Sequence, residues 1–313
     1  MRLGVGMKTW TYSAFGGPDN LELTHQDLPE PGPGTVRIKV HAAAVNPVDW
    51  KIMAGGLSDV LPVLFPATIG WDVAGVVDAV GYGVQEFAVG DEILADNMQD
   101  FVSRGSMAEY TIVPVRVAAK KPQALGFVEA ASLPLAGQTA LQGVDHLGLS
   151  KGDTLLIHNA SGGVGRVAVQ YAVHQGIRVI GSASESNHDA LRAMGAEPVS
   201  YGDGLADAVR ALAPDGVDGV YDAVGGVTDV SAALMATGAS IISIADPSVI
   251  ALGGTWLWVN PNSADTARLA DLAAQGIITP HIDKIFSFDQ VPAAYQHNMD
   301  GHTRGKVVVD VTA

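Results

Sequence analysis

Residues 155–166 run Leu155-Leu-Ile-His-Asn-Ala-Ser-Gly-Gly-Val-Gly-Arg166, and this stretch decides the architecture. Thr154–His158 (TLLIH) is an apolar run of strand length, and Val164–His174 repeats its apolar residues at helical spacing. Between them lies a glycine turn. Gly162 and Gly163 leave room for backbone N–H groups to approach a pyrophosphate, with Ser161 and Val164 on the same bend. Gly165 lets helix and strand pack closely, and the start of the helix adds its partial positive charge. Ala160 occupies the place where a plain G-x-G-x-x-G pattern has its first glycine. A glycine pattern alone is a weak signal, but a strand before it and a helix after it point to a dinucleotide site.

The following stretches keep this rhythm. Arg178–Ala183 (RVIGSA), Val217–Ala223 and Ala239–Ala245 (ASIISIA) read as strands, while His188–Met194 and Thr228–Met235 read as helices. Alternation of this kind predicts βαβ units and a doubly wound parallel sheet, a Rossmann domain over 123–262. Thr255–Val259 (TWLWV) is a candidate edge strand. Cofactor choice turns on the end of the second strand, where an acidic residue would accept hydrogen bonds from the ribose of NAD. Here the strand ends Ser182-Ala183-Ser184, which leaves room for a 2′-phosphate. Asn187, His188 and Tyr201 are candidate donors, with Arg192 on the next helix. Glu185 stands close by, and a serine-rich helix start explains the serines equally well. The balance favours NADPH.

Before Lys121-Pro122 the pattern is β. Val36–Val40 (VRIKV) alternates strictly, and Val73–Val80 and Glu109–Val117 are further strand candidates. Glu30-Pro-Gly-Pro-Gly34 and Gly81–Gly83 are turns between them, and several short strands so punctuated suggest a partly open barrel. At the far end a helix is expected over Ala264–Ala274 and a closing strand over Lys306–Val311. That strand most simply returns to the first domain. Residues 1–122 and 263–313 then form one β-rich domain into which the Rossmann unit is inserted.

Composition agrees with this reading. A chain of 313 residues, 48% hydrophobic but only 6% aromatic, suits two domains of closely layered α/β structure. The net charge of −15, from 18 basic and 33 acidic residues, repels nucleic acid and anionic lipid and excludes both as partners. With no cysteine there are no disulfides, thiolate zinc sites or cysteine nucleophiles. The MRLGVGMKTW start lacks a secretory apolar core, and no apolar run reaches the roughly 20 residues needed to span a bilayer. A cytoplasmic protein is expected.

Six landmarks occur in order: Val45-Asn-Pro-Val-Asp-Trp-Lys51, Gly70-Trp-Asp-Val-Ala-Gly75, Val89-Gly-Asp-Glu92, Leu135-Ala-Gly-Gln-Thr139, Ala160–Gly165 and Arg304-Gly-Lys306. From Met7 onward the chain closely resembles the zinc-independent quinone oxidoreductases of the medium-chain dehydrogenase/reductase superfamily. The resemblance implies a GroES-like catalytic domain, a Rossmann domain, an active cleft between them and a homodimer joined through Rossmann edge strands. Zinc-dependent relatives place Cys where Asn46 stands and a His-Glu pair where Trp71-Asp72 stands, so this donor set does not suit catalytic zinc. In its place Asn46 would donate to the developing oxyanion. Lys51 aligns with a Tyr or Lys that supplies a proton in related reductases, though a solvated surface lysine fits as well. Asp72 either pairs with Lys51 or fixes its loop; Trp50 and Trp71 read as wall or core. The resemblance also puts Thr139, Val224, Ile244, Ala245, Arg304 and Lys306 on the cofactor, with a strand-end charge as the plainer reading of Lys306. The indoles Trp256 and Trp258 suit the core, the nicotinamide or the dimer seam.

The implied function is an NADPH-dependent reductase of a small electron-poor substrate, a quinone, enal or enone. Leu94 departs from the Tyr of several alkene-reducing members. An enoyl-thioester reductase, or a non-catalytic NADPH-binding sensor, would share the same glycine turn.

Overall fold

The computed structural model describes residues 6–301 and 303–313; residues 1–5 of the MRLGVGMKTW start lie outside the described residues. The chain opens with β1 (Gly6–Tyr12), β2 (Glu22–Asp27), β3 (Thr35–Val45), α1 (Pro47–Met53), β4 (Ala67–Thr68), β5 (Asp72–Val80), β6 (Glu92–Asp96), β7 (Tyr110–Pro114), β8 (Ala118–Lys120) and α2 (Phe127–Ala131). Next come α3 (Pro134–Leu147), β9 (Thr154–His158), α4 (Gly163–His174), β10 (Arg178–Ala183), α5 (His188–Ala193), β11 (Glu197–Ser200) and α6 (Leu205–Leu212). Then follow β12 (Val217–Asp222), α7 (Thr228–Leu234), β13 (Met235–Ser243), β14 (Thr255–Trp256), α8 (Ser263–Ala274), β15 (Ile282–Ser287), α9 (Val291–Met299) and β16 (Lys306–Asp310). Two compact units divide them. The first holds the described chain up to Leu135 with Pro261–Ala274 and His281–Ala313; the second holds Ala136–Asn260 with Gln275–Pro280.

The second unit is a six-stranded sheet in the order β11-β10-β9-β12-β13-β14, parallel throughout. Counted from β9, that is the 3-2-1-4-5-6 order of a Rossmann fold, and it reverses between β9 and β12. β9 is buried along its whole length, as a strand covered on both faces must be. Its Leu155, Leu156 and Ile157 are fully buried, each worth roughly 1.5–3 kcal/mol of transfer free energy. Helix α3 comes close to this sheet at Gly143, where a Cβ would stand 2.3 Å from the ring of Tyr221. The TWLWV segment pairs only as far as Trp256, because its partner β13 ends at Ser243 opposite it.

In the first unit, β2-β1-β4 form a small sheet, and β15-β16-β3-β5-β6-β8 form a larger one to which β7 adds on β3. The eleven-residue β3 changes partner along its length: Thr35–Lys39 pair with β7, Ala42–Val45 with β16. Its alternating burial becomes continuous from Ala42. The strand expected over Glu109–Val117 stops at Pro114, which has no N–H for the ladder, and becomes a 3-10 turn. Helix α9 had no clear signal in the sequence. Its buried Val291, Ala294 and Tyr295 follow i, i+3, i+4, but Gln296, His297 and Asn298 blur the pattern.

Candidate active site

Four strands of the first unit end in a row. Asn46 follows the last residue of β3, Asp72 opens β5, Lys306 opens β16 and Asp96 closes β6. Strand register makes them neighbours: Val45 lies opposite Val307, Ala44 opposite Asp72, and Asp72 opposite Asp96. Asn46 Nδ2 donates to Asp72 Oδ2 at 2.8 Å. Lys306 Nζ donates to the same oxygen at 3.1 Å and also to Asn46 Oδ1. The other Asp72 oxygen accepts the Leu135 N–H at 2.7 Å. Exposure is 2% for Asn46, 0% for Asp72 and 6% for Lys306. An ammonium at one end and a carboxylate at the other leave the Asn46 amide a single sensible orientation, oxygen toward Lys306.

Two more buried carboxyls adjoin this row. Asp49, in the first turn of α1, accepts the Asn46 backbone N–H at 2.9 Å and the Tyr295 hydroxyl at 3.2 Å. Burial pushes its carboxyl up to about 7, opposed by the Asn46 N–H. Asp96 accepts the Met98 N–H at 3.2 Å, and burial, reinforced by the charge of Asp72, pushes it well above the usual carboxylate range. Asp49 Oδ1 and Asp96 Oδ2 have no partner among the described residues. Neither carboxyl stood out in the sequence, where an aspartate on a strand or in a helix start is commonplace.

The pairing of Asp72 with Lys51, one of the two expectations for Asp72, does not form. Asp72 takes Lys306, while Lys51 is exposed with its ammonium 5.7 Å from the Trp50 ring centroid. Helical spacing is the cause: Asp49, Ile52 and Met53 occupy the buried face of α1, and Lys51 falls outside it. Trp71 joins the core, and Trp50 donates its indole N–H to Asn298 Oδ1 at 2.9 Å. Arg304 lies next to Lys306 in this unit, its backbone N–H on Asp283 Oδ1 at 3.2 Å.

The second unit carries the glycine turn. Asn159 takes φ 56°, a left-handed conformation that asparagine tolerates better than most residues. The turn is tied to β10: Ala160 N–H donates to the Ser182 carbonyl at 2.9 Å and Asn159 N–H to Ser182 Oγ at 3.3 Å. Ala160 in place of glycine is accommodated by Gly181 on β10, where a Cβ would come within 2.8 Å of the Ala160 methyl. At Gly165 a Cβ would stand 2.2 Å from the Asn159 carbonyl oxygen, so only glycine fits. Gly162 is the N-cap of α4 and offers no side-chain cap, which leaves the opening amides of a twelve-residue helix for an anion. Ser161, Gly163 and Val164 are half-buried on this bend.

His158 closes β9 beneath the turn. Ser231 gives its hydroxyl hydrogen to the Val227 carbonyl, so it accepts at 2.9 Å from His158 Nε2, which carries the proton. Burial lowers the pKa of this histidine and keeps it neutral. Ser182 is 2% exposed and engaged with the turn. Ser184, half-buried, receives Asn187 Nδ2 at 2.9 Å. His188 Nε2 and Arg166 Nε are buried with no partner among the described residues. Arg166 was not singled out in the sequence, although a basic residue immediately after a glycine turn in so acidic a chain was the available signal. Tyr201 is 65% exposed, and Arg192 pairs with Asp189.

Two further loops are organised by Asp222, at the end of β12. Its Oδ1 accepts the Val224 and Gly225 N–H groups at 2.9 and 2.8 Å, and its Oδ2 accepts the Ser243 hydroxyl at 2.7 Å. Ser243 Oγ in turn receives the Ala245 and Asp246 N–H groups, and the Asp222 carbonyl receives that of Ile244. Thr139, on α3, is buried, with its carbonyl accepting the Tyr221 hydroxyl at 2.8 Å. The loops after β9, β10, β12 and β13 thus gather at the carboxyl edge of the sheet, where α/β folds bind their ligands.

Residues 32–123 match the alcohol dehydrogenase GroES-like domain and residues 194–309 match the zinc-binding dehydrogenase domain. The chain is 34% identical to the NADPH-dependent alkenal/one oxidoreductase of Arabidopsis thaliana, over 97% of this chain and 79% of that one. The chain belongs to the medium-chain dehydrogenase/reductase superfamily, within its quinone oxidoreductase-like branch. The quinone oxidoreductase of Coxiella burnetii superposes with a TM-score of 0.88 at 32% identity, over 98% and 99% of the two chains. A mycobacterial protein solved in complex with NADPH superposes at 0.85 with 28% identity, over 97% and 100%. Among the described residues, the zinc in one domain's name finds no fitting donor set. No cluster of three metal-ligating residues occurs among the described residues, and Asn46 Oδ1 is covered by an ammonium that would repel a cation.

Proposed function

We propose that the chain is an NADPH-dependent, metal-free oxidoreductase that reduces quinones or α,β-unsaturated carbonyls. The uncapped start of α4 above a close-packed glycine turn carries this reading. Backbone amides there bind the pyrophosphate. The unpartnered His188 Nε2 and Arg166 Nε, with Ser184, Asn187 and Tyr201, are the donors for a 2′-phosphate; Thr139, Val224, Ile244 and Ala245 flank the rest of the cofactor. When bound, NADPH supplies a hydride from its nicotinamide. Asn46 donates to the acceptor's carbonyl oxygen, Asp72 holds Asn46, and the proton comes from Lys51 or water.

The reading is tested by following the near-ultraviolet absorbance of NADPH with a panel of quinones, enals and enones. Turnover of at least one acceptor is expected. Tight NADPH binding without any turnover would instead favour a sensor.

We assign the first unit, read from the sequence as 1–122 and 263–313 but holding the chain to Leu135 and giving up Gln275–Pro280, to catalysis and the second, read as 123–262, to NADPH, and propose a cytoplasmic homodimer. The half-exposed Trp256, at the end of edge strand β14, and Trp258 just beyond it support the dimer, and light scattering on the purified protein tests it. No helix among the described residues is long and apolar enough to cross a membrane.

A further inference from the structure

We infer that Lys306 is a catalytic residue: its ammonium and the Asn46 amide together form a two-donor site for the acceptor's oxygen as negative charge develops there. This rests on the reductase reading above. Lys306, expected on the cofactor or as a strand-end charge, does open β16, and its side chain is 93% buried against Asn46 and Asp72.

Counting hydrogens carries the inference. An ammonium has three N–H groups and a carboxamide two. Lys306 directs one to Asp72 Oδ2 and one to Asn46 Oδ1; Asn46 directs one to Asp72 Oδ2. One N–H on each nitrogen therefore lacks an acceptor among the described residues, and both side chains are more than nine-tenths buried. A buried donor without an acceptor is destabilising in the free protein. Two of them, on nitrogens fixed to one shared carboxylate oxygen, stand ready for an oxygen that reaches them and need no rearrangement of that oxygen's partners when its charge appears.

Charge favours the same conclusion. Asp72 offsets Lys306, and the raised Asp49 and Asp96 carboxyls tend toward their neutral forms, which do not oppose an oxyanion. With an enone, the hydride brings two electrons to the β-carbon. The alkene pair moves between the α-carbon and the carbonyl carbon, and the carbonyl pair moves onto oxygen, where it meets the two N–H groups. A proton from Lys51 or water then adds at the α-carbon as the oxygen's pair re-forms the carbonyl, NADP⁺ and the saturated ketone depart, and Lys306 and Asn46 are unchanged.

The test combines turnover, NADPH titration and a spectroscopic probe, 4-nitrophenol, whose ionised form is yellow and mimics an enolate. Lys306→Met should lower kcat by about 10²–10³-fold with the NADPH Kd unchanged, and should lose the yellow bound phenolate that the wild-type chain stabilises. Lys306→Arg, which keeps charged donors, should recover part of both. Should Lys306→Met fail to fold, Lys306→Arg together with Asn46→Ala, which should also lose the phenolate, decides the matter. Wild-type kcat and phenolate in Lys306→Met would overturn the inference, as would an NADPH Kd that rises in step with the lost activity. Phenolate stabilisation by a wild-type chain that reduces no acceptor would sink the reductase reading and leave the donor pair standing.

Discussion

Gly165 and Gly162 sit three residues apart in one turn and should tolerate change very differently. A Cβ on Gly165 meets backbone, the Asn159 carbonyl at 2.2 Å, whereas on Gly162 it meets the movable Asn159 side chain at 2.8 Å. Gly165→Ala should therefore cost about 1–3 kcal/mol of stability and weaken NADPH, because strand and helix must separate. Gly162→Ala should fold normally. Equal unfolding midpoints for the two variants would refute this assignment. Asp49 gives a second residue-scale expectation. Its carboxyl is raised to about 7 in the fold, so the folded chain holds a proton that the unfolded chain releases near the ordinary aspartate value. The stability this contributes is present at low pH and lost as pH rises from about 4 to about 7, by at most ~1.4 kcal/mol per unit. Asp49→Asn mimics the protonated form and keeps an acceptor for Asn46 N–H and Tyr295. Its melting temperature should gain on the wild type as pH rises through that range. Parallel curves would contradict the raised value.

At the scale of elements, one carboxylate holds two loops. Asp222 ends β12 and fixes the Val224-Gly225 turn directly and the Ile244–Asp246 turn through Ser243. Asp222→Ala should loosen both. Losing about 1.4 kcal/mol of preorganisation would weaken NADPH roughly tenfold, whereas Asp229→Ala, at an exposed site on α7, should not; calorimetric titration separates them. Elements of this kind were legible in the sequence when a periodic pattern carried them. β9 and β10 lie where the TLLIH and RVIGSA runs put them, because a central parallel strand must be apolar throughout. The glycine turn was legible for the same local reason, whereas Asn46 and Asp72 were singled out only through the resemblance that their landmarks carry. What escaped is what register creates. The pairing of Lys306 with Asn46 spans 260 positions of sequence and exists only because β16 adds beside β3. Likewise the burial of Asp49 and Asp96 depends on what packs over them, which spacing along the chain does not record.

For the whole molecule, the governing quantity is a net charge of −15 set against a polyanionic cofactor. The long-range field repels NADPH, yet the local site attracts it through amides at the start of α4, with Arg166 close behind on the same helix. Far and near electrostatics thus oppose each other, and salt weighs on them unequally. Screening shortens the field's reach from about 30 Å at 0.01 M to about 8 Å at 0.15 M, while contacts within hydrogen-bond range are screened much less. Raising salt over that range should therefore speed NADPH association, measured by stopped-flow quenching of the tryptophans, and leave its dissociation rate nearly constant. A site built from clustered lysines and arginines on a basic surface would behave the other way, with association slowing as salt rises. An association rate that falls steeply with salt would mean that side-chain cations, rather than main-chain dipoles, do most of the work of holding the phosphates.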